Sequence, residues 1–88
     1  VAEALPDGRI RVPGAMAVDD AAVLLNSEWE TDATTVGGLV TAALGHLPVP
    51  GERATVGDYE FEIERIADRA LDSVLARRVV PEETEREQ

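Results

Sequence analysis

Hydrophobic positions recur along the chain with two different periods, and the changes between them divide it into elements. Arg9-Ile10-Arg11-Val12 alternates polar and apolar, follows the Asp7-Gly8 turn and stops at Pro13-Gly14, which predicts a short strand. Val1 to Pro6 before it shows no period. From Val18 the spacing becomes helical, with Ala21, Leu24 and Leu25 on one side and Asp19 and Asp20 in the first turn, where acids complement the helix dipole. A first helix is expected over about 18–26. A polar loop, 27–33, follows with Trp29 inside it. Val36, Leu39, Val40, Ala43, Leu44 and Leu47 then recur at i, i+3, i+4, i+7, i+8 and i+11 and predict the buried face of a second helix. Thr34 or Thr35 serves as its N-cap, Gly45 as a left-handed C-cap, and Pro48 blocks continuation.

The period returns to two after Pro50-Gly51. Ala54-Thr55-Val56 and Tyr59-Glu60-Phe61-Glu62-Ile63 flank Gly57-Asp58, a two-residue connection suited to a tight hairpin. Tyr59, Phe61 and Ile63 share one face and Glu60, Glu62 and Glu64 the other, as in a half-buried antiparallel strand. Residues 67–79 are helical by composition. A strand folded back on 59–66 nevertheless sets Ile63 opposite Val74, Phe61 opposite Ala76, Arg65 opposite Asp72 and Glu60 opposite Arg77, all favourable pairs, so a strand is the reading adopted. The expected fold is α+β: a small antiparallel sheet of about four to five strands with two helices packed on one face. One domain spans residues 7–80, followed by a charged, aperiodic and disordered acidic tail at 81–88.

Composition narrows the functions open to such a fold. An 88-residue chain supports one modest core. Cysteine is absent, which excludes disulfides, thiolate metal sites and thiol nucleophiles. The net charge is −10 and all eight basic residues are arginine, which argues against nucleic acid or an anionic membrane as partner. No apolar run approaches the roughly 20 residues of a membrane span, and no signal peptide or anchor is expected in these residues.

The candidate chemistry is thin. The serines, Ser27 and Ser73, lie outside any nucleophile elbow, and the single histidine, His46, is expected to cap the end of the second helix. Glu28-Trp29-Glu30-Thr31-Asp32 resembles the first half of a calcium loop, but Ala33 and Leu39 stand where glycine and a bidentate glutamate are needed. That segment reads as a solvated acidic loop anchored by Trp29. Gly37-Gly38 at a helix N-terminus suits an anion, yet no Gly-Lys-Ser/Thr follows, and close backbone packing on the sheet is the favoured reason for the glycines. No catalytic, cofactor-binding or metal residues are assigned. No cofactor is implied, and the chain is expected not to be an enzyme.

Taken together, Asp7-Gly8, Val12-Pro13-Gly14, Thr35-Val36-Gly37-Gly38-Leu39-Val40, Leu44-Gly45-His46-Leu47-Pro48, Pro50-Gly51-Glu52 and Tyr59-Glu60-Phe61-Glu62-Ile63 resemble the transporter-associated domain of the CorC/HlyC family. The resemblance covers residues 7 to about 80. It departs at Ala67-Asp68-Arg69-Ala70-Leu71, where the family has a glycine-containing turn followed by Arg-Ile. It implies a fold related to FAD-binding-type domains, although fold likeness conveys no flavin site. It further implies an isolated accessory module of a longer haemolysin-like protein, on the cytoplasmic side of the cell membrane, that modulates magnesium and cobalt efflux. The implied partners are neighbouring CBS and membrane domains or a second copy in a homodimer, with no direct membrane insertion. The face bearing Glu60, Glu62, Glu64, Leu71 and Leu75 is one contact surface for them. The alternative is a ligand sensor that binds a divalent cation or nucleotide through the acidic loop or the Gly37-Gly38 helix end.

Overall fold

The period-two segments assemble into one antiparallel sheet, and the two helices cover a single face of it. A computed structural model describes residues 2–68 and 70–79, so the acidic tail expected at 81–88 lies outside the described residues. The strands are β1 (Glu3–Ala4), β2 (Ile10–Pro13), β3 (Arg53–Val56), β4 (Tyr59–Ala67) and β5 (Ala70–Arg78), in the order β1-β2-β5-β4-β3. The helices are α1 (Val18–Leu24) and α2 (Val36–Leu44). The two-residue β1, where the sequence shows no period, adds an edge to the sheet through Glu3 opposite Arg11 and Ala4 opposite Ile10.

β5, helical by composition, is the central strand. Hydrogen-bonded ladders on both flanks, to β2 and β4, satisfy its backbone, and Val74 and Ala76 are fully buried. Tertiary pairing therefore overrides local propensity. Ile63 faces Val74, Phe61 faces Ala76 and Glu60 faces Arg77, as expected, whereas Arg65 faces Ser73 in place of Asp72. That irregularity involves both strands, so Ile66 still meets Leu71 but the faces have exchanged. Both side chains join the core, and Leu71 lies on the helix side of the sheet, away from the glutamate face to which alternation assigns it. Asp68, with φ 52°, turns the β4–β5 hairpin where the family resemblance calls for glycine. Aspartate is among the few residues that accept this left-handed backbone.

Phe61, Ile63, Val12, Val74, Val36, Val40 and Leu25 form the centre of the core. On α2, Val36, Leu39 and Val40 are buried and Leu44 is partly so, but Ala43 is exposed and Leu47 is 75% exposed. The helix ends at Gly45 (φ 79°), so Leu47 has left the helical period that placed it in the core. Both expected caps are present: Thr35 Oγ1 accepts from Gly38 N at 3.2 Å, and Gly45 N donates to Thr41 O at 3.0 Å. α1 stops at Leu24, two residues short of expectation, because Asn26 adopts φ 53°.

The helical layer is locked to the sheet where the backbone of Gly14 crosses β5. A Cβ on Gly14 would lie 2.0 Å from Leu71 O, and one on Gly37 would lie 3.1 Å from Gly14 O. Gly38 has no such neighbour; its nearest atoms, Ala33 Cβ and Thr35 Oγ1, are 3.4 and 3.5 Å from the Cβ position. Gly14→Ala is therefore expected to cost about 3 kcal/mol or more, whereas Gly38→Ala should be neutral or stabilising by up to about 1 kcal/mol. Urea midpoints of the two variants check this; equal midpoints would remove the crossing from its place in the fold.

Candidate functional site

The N-terminus of α2 is already occupied by the chain itself. Val36 N donates to Met16 O at 2.9 Å, Gly37 N to Gly14 O at 2.8 Å and Gly38 N to the Thr35 hydroxyl. The first-turn donors that would cradle a phosphate are thereby satisfied by backbone and cap. Gly37 is explained by close packing, as expected, and Gly38 is not. His46 corrects the reading of it as a cap: its Nε2 lies 2.6 Å from Glu52 Oε2, while Glu52 Oε1 accepts from Val49 N at 2.9 Å. The histidine contact and the Val49 amide hold the Glu52 carboxyl below its ordinary pKa. His46 and Glu52 thus clip the α2–β3 connection.

The Glu28–Asp32 segment is a solvated acidic loop, with Glu28, Glu30 and Asp32 exposed. Trp29 anchors it, packing edge-on against Phe61 with ring centroids 5.9 Å apart. Its indole Nε1 is buried without a hydrogen-bond partner among the described residues, pressed where a Gly57 Cβ would stand 3.1 Å away. A buried unpaired donor costs about 1–3 kcal/mol. Among the described residues no three His, Asp or Glu side chains group as a metal ion would need.

The uncovered face of the sheet holds a lattice of ion pairs that was only half legible in the sequence. Arg9, just before β2, and Arg11 on it reach over β5 to Glu62 and Glu64 on β4, at 3.2 and 2.8 Å. Arg11 grips Glu64 with two nitrogens, Nε to Oε1 and Nη2 to Oε2 at 2.9 Å, and donates to Glu3 from Nη1 at 2.8 Å. Ser73 Oγ donates to Glu64 at 2.8 Å, and Arg77 pairs with Glu60 at 2.7 Å. Leu75, in register with Arg11 and Glu62, is left only 8% exposed beneath these side chains. Strands lie about 4.8 Å apart, so only arginine is long enough to span the intervening strand and still meet a carboxylate squarely. The signal was the opposite charge on the two alternating strands, Arg9/Arg11 and Glu60/Glu62/Glu64; the missing information was which strand lies between them.

Comparison with known proteins agrees with this architecture. The transporter associated domain family CorC/HlyC matches residues 3–80. The chain belongs to that family. This CorC/HlyC domain is 32% identical over 78 residues to the UPF0053 inner membrane protein YfjD of Escherichia coli K12. The match takes in 85% of the chain but 18% of YfjD, so the chain spans under a fifth of that relative. Among solved structures, the Mg2+ and Co2+ transporter (CorC) associated region of Neisseria meningitidis aligns with a TM-score of 0.82 and 35% identity, over 89% of this chain and 98% of that one. The CorC/HlyC domain of Nitrosomonas europaea aligns at 0.81 and 28% identity, over 90% and 96%. No helix among the described residues is long and apolar enough to cross a membrane.

The Arg11 and Ser73 contacts depress the Glu64 pKa from the ordinary 4.5 to about 2, the arginine contributing most. A carboxylate depressed in the folded state stabilises it fully above the unfolded value and loses that contribution as pH falls toward the folded one. Glu64→Gln should therefore lower the denaturation midpoint at pH 7, and the gap to the parent should close between about pH 4.5 and 2. Denaturant titrations at several pH values provide the check; a gap constant across that window would mean that Glu64 acts through shape and not charge.

Proposed function

We propose that the domain is a non-catalytic regulatory and interaction module of a membrane ion transporter, on the cytoplasmic side, that modulates divalent-cation efflux, with magnesium and cobalt as the cations. The observation that carries this reading is the relationship to YfjD: most of this chain matches a small fraction of a much larger inner membrane protein. The 35% identical Neisseria region, described as associated with a magnesium and cobalt transporter, supports the choice of cations. The partners are then the CBS and membrane domains of the parent protein, or a second copy of the domain.

The geometry is consistent with action by packing. The glutamates of the sheet face are engaged by arginines, and the α2 N-terminus is filled by the chain's own carbonyls, so both regions resist deformation by a small ligand. A domain of this kind influences transport by where it sits against its neighbours and by what it holds in place.

Removing the domain from the parent transporter should leave the remaining protein in the membrane and change cobalt tolerance and the rate of cobalt efflux. Tolerance and efflux unaltered by the deletion would overturn the regulatory reading. In solution, magnesium and calcium should bind the isolated chain no more tightly than roughly millimolar and less well as salt is added, because exposed carboxylates are screened and form no cage. One-to-one micromolar binding by calorimetry, lost in Asp32→Asn and insensitive to salt, would make the domain a cation sensor instead.

A further inference from the structure

The two sides of the domain treat charge differently. On the open sheet face, arginines from β2, β3 and β5 are matched to carboxylates. On the helical side, residues 12–52 contain Asp19, Asp20, Glu28, Glu30, Asp32 and Glu52 and neither lysine nor arginine. Glu52 is held by His46, and the other five have no ion-pair partner among the described residues.

A groove of about 740 Å³ opens on this side, between the end of α1, the Trp29 loop and the β3–β4 turn. Val23, Asn26, Glu28, Trp29, Gly57 and Asp58 line it. Its apolar wall is unusual for a surface helix, since Val23 is 82% exposed and the adjoining Leu24 is 45% exposed. Surface helices turn polar residues outward, so two aliphatic neighbours left in solvent mark a surface built to be covered. Its floor is Trp29, whose buried indole N–H lies beside Gly57 and has no hydrogen-bond partner among the described residues. Carboxylates from Glu28 and Asp58 stand at the rim. Arg78, in register with Tyr59, offsets part of this charge at the hairpin end and leaves the α1 end the more acidic.

We propose that this groove is the docking site for a basic amphipathic segment of a neighbouring protein domain, whose apolar side chains cover Val23, Leu24 and Trp29 while its arginines or lysines meet Glu28, Asp58 and the acids of α1. Charge complementarity decides the occupant. A second copy of a chain with net charge −10 would bring like charge to the same surface, and phospholipid or nucleic-acid phosphates would do the same. A cation without an apolar face would leave Val23 and Leu24 uncovered. The proposal rests on the reading of the domain as an interaction module and states the chemistry of what it holds.

The test uses this chain and three synthetic peptides: an amphipathic helix of leucine and arginine about four turns long, the same helix with glutamate for arginine, and an arginine homopolymer. The leucine–arginine helix should bind saturably, shifting the amide signals of Val23, Leu24 and Gly57 and the Trp29 indole N–H signal. Val23→Ser, at a position too exposed to affect folding, should weaken it about tenfold. Glu28→Gln with Asp58→Asn should weaken it and flatten its salt dependence, and the glutamate helix should not bind. Equal binding of the arginine homopolymer, an unchanged affinity in Val23→Ser, or shifts centred on α2 or the sheet would each overturn the proposal. Cobalt tolerance of the parent transporter carrying Val23→Ser separates the two readings. Weakened peptide binding with unchanged tolerance counts against regulation through this groove, whereas altered tolerance with unchanged peptide affinity counts against the docking site alone.

Discussion

The contact on which the rest of the architecture depends is the crossing of the Gly14 backbone over Leu71 O. There the chain leaves β2, lies against the central strand with no room for a Cβ, and receives the amide of Gly37 from α2. Gly14 N donates in turn to Asp72 O at 2.9 Å, so one residue ties strand, helix and central strand together. Met16 O and Thr34 O continue the seam by accepting from Val36 N and Val18 N. The starts of both helices are thereby fastened side by side, and each buries its apolar stripe on Phe61, Ile63 and Val74. Two helices of seven and nine residues would not persist alone in water; the seam and the sheet hold them.

The same seam shapes what the domain presents to others. It consumes the polar backbone groups at the α2 terminus, which leaves the side chains of α1 and the Trp29 loop as the chemically distinctive part of the helical layer. Below the sheet, every strand contributes an arginine, a glutamate or the Ser73 hydroxyl to a lattice over Leu75. The free energy of each exposed pair is small. Their joint effect is to cover an aliphatic residue and give an otherwise open sheet face a set geometry.

A domain this small gains from the division. One face pairs its charges internally, while the other combines exposed aliphatic groups with acidic side chains that have no ion-pair partner among the described residues. Repulsion by net charge −10 keeps such surfaces apart from one another and steers basic partners toward them.

Local sequence was enough for the features whose determinants are local. The Thr35 and Gly45 caps, the Gly57-Asp58 hairpin, the apolar start of α2 and the pairing of Ile63 with Val74 follow from capping chemistry, turn preference and cross-strand complementarity among residues near one another in the chain. The acidic loop anchored by Trp29 was legible for the same reason. The same cross-strand complementarity with 59–66 supplied the expectation that 67–79 folds back as a strand, against composition. Other features had no local signal. β1 is two residues long and too short for a period, and Leu47 kept its helical spacing beyond the residue that ends the helix. His46 found a carboxylate six residues away instead of the helix end. The exchange of faces between Ile63 and Ile66, which moves Leu71 into the core, is an agreement between two strands that neither records alone. The lattice of Arg9 and Arg11 with Glu62 and Glu64 depended on strand order, which set β5 between them. Those outcomes belong to tertiary structure because each is a choice of partner, and alternating side chains state which face they prefer without stating what will lie opposite.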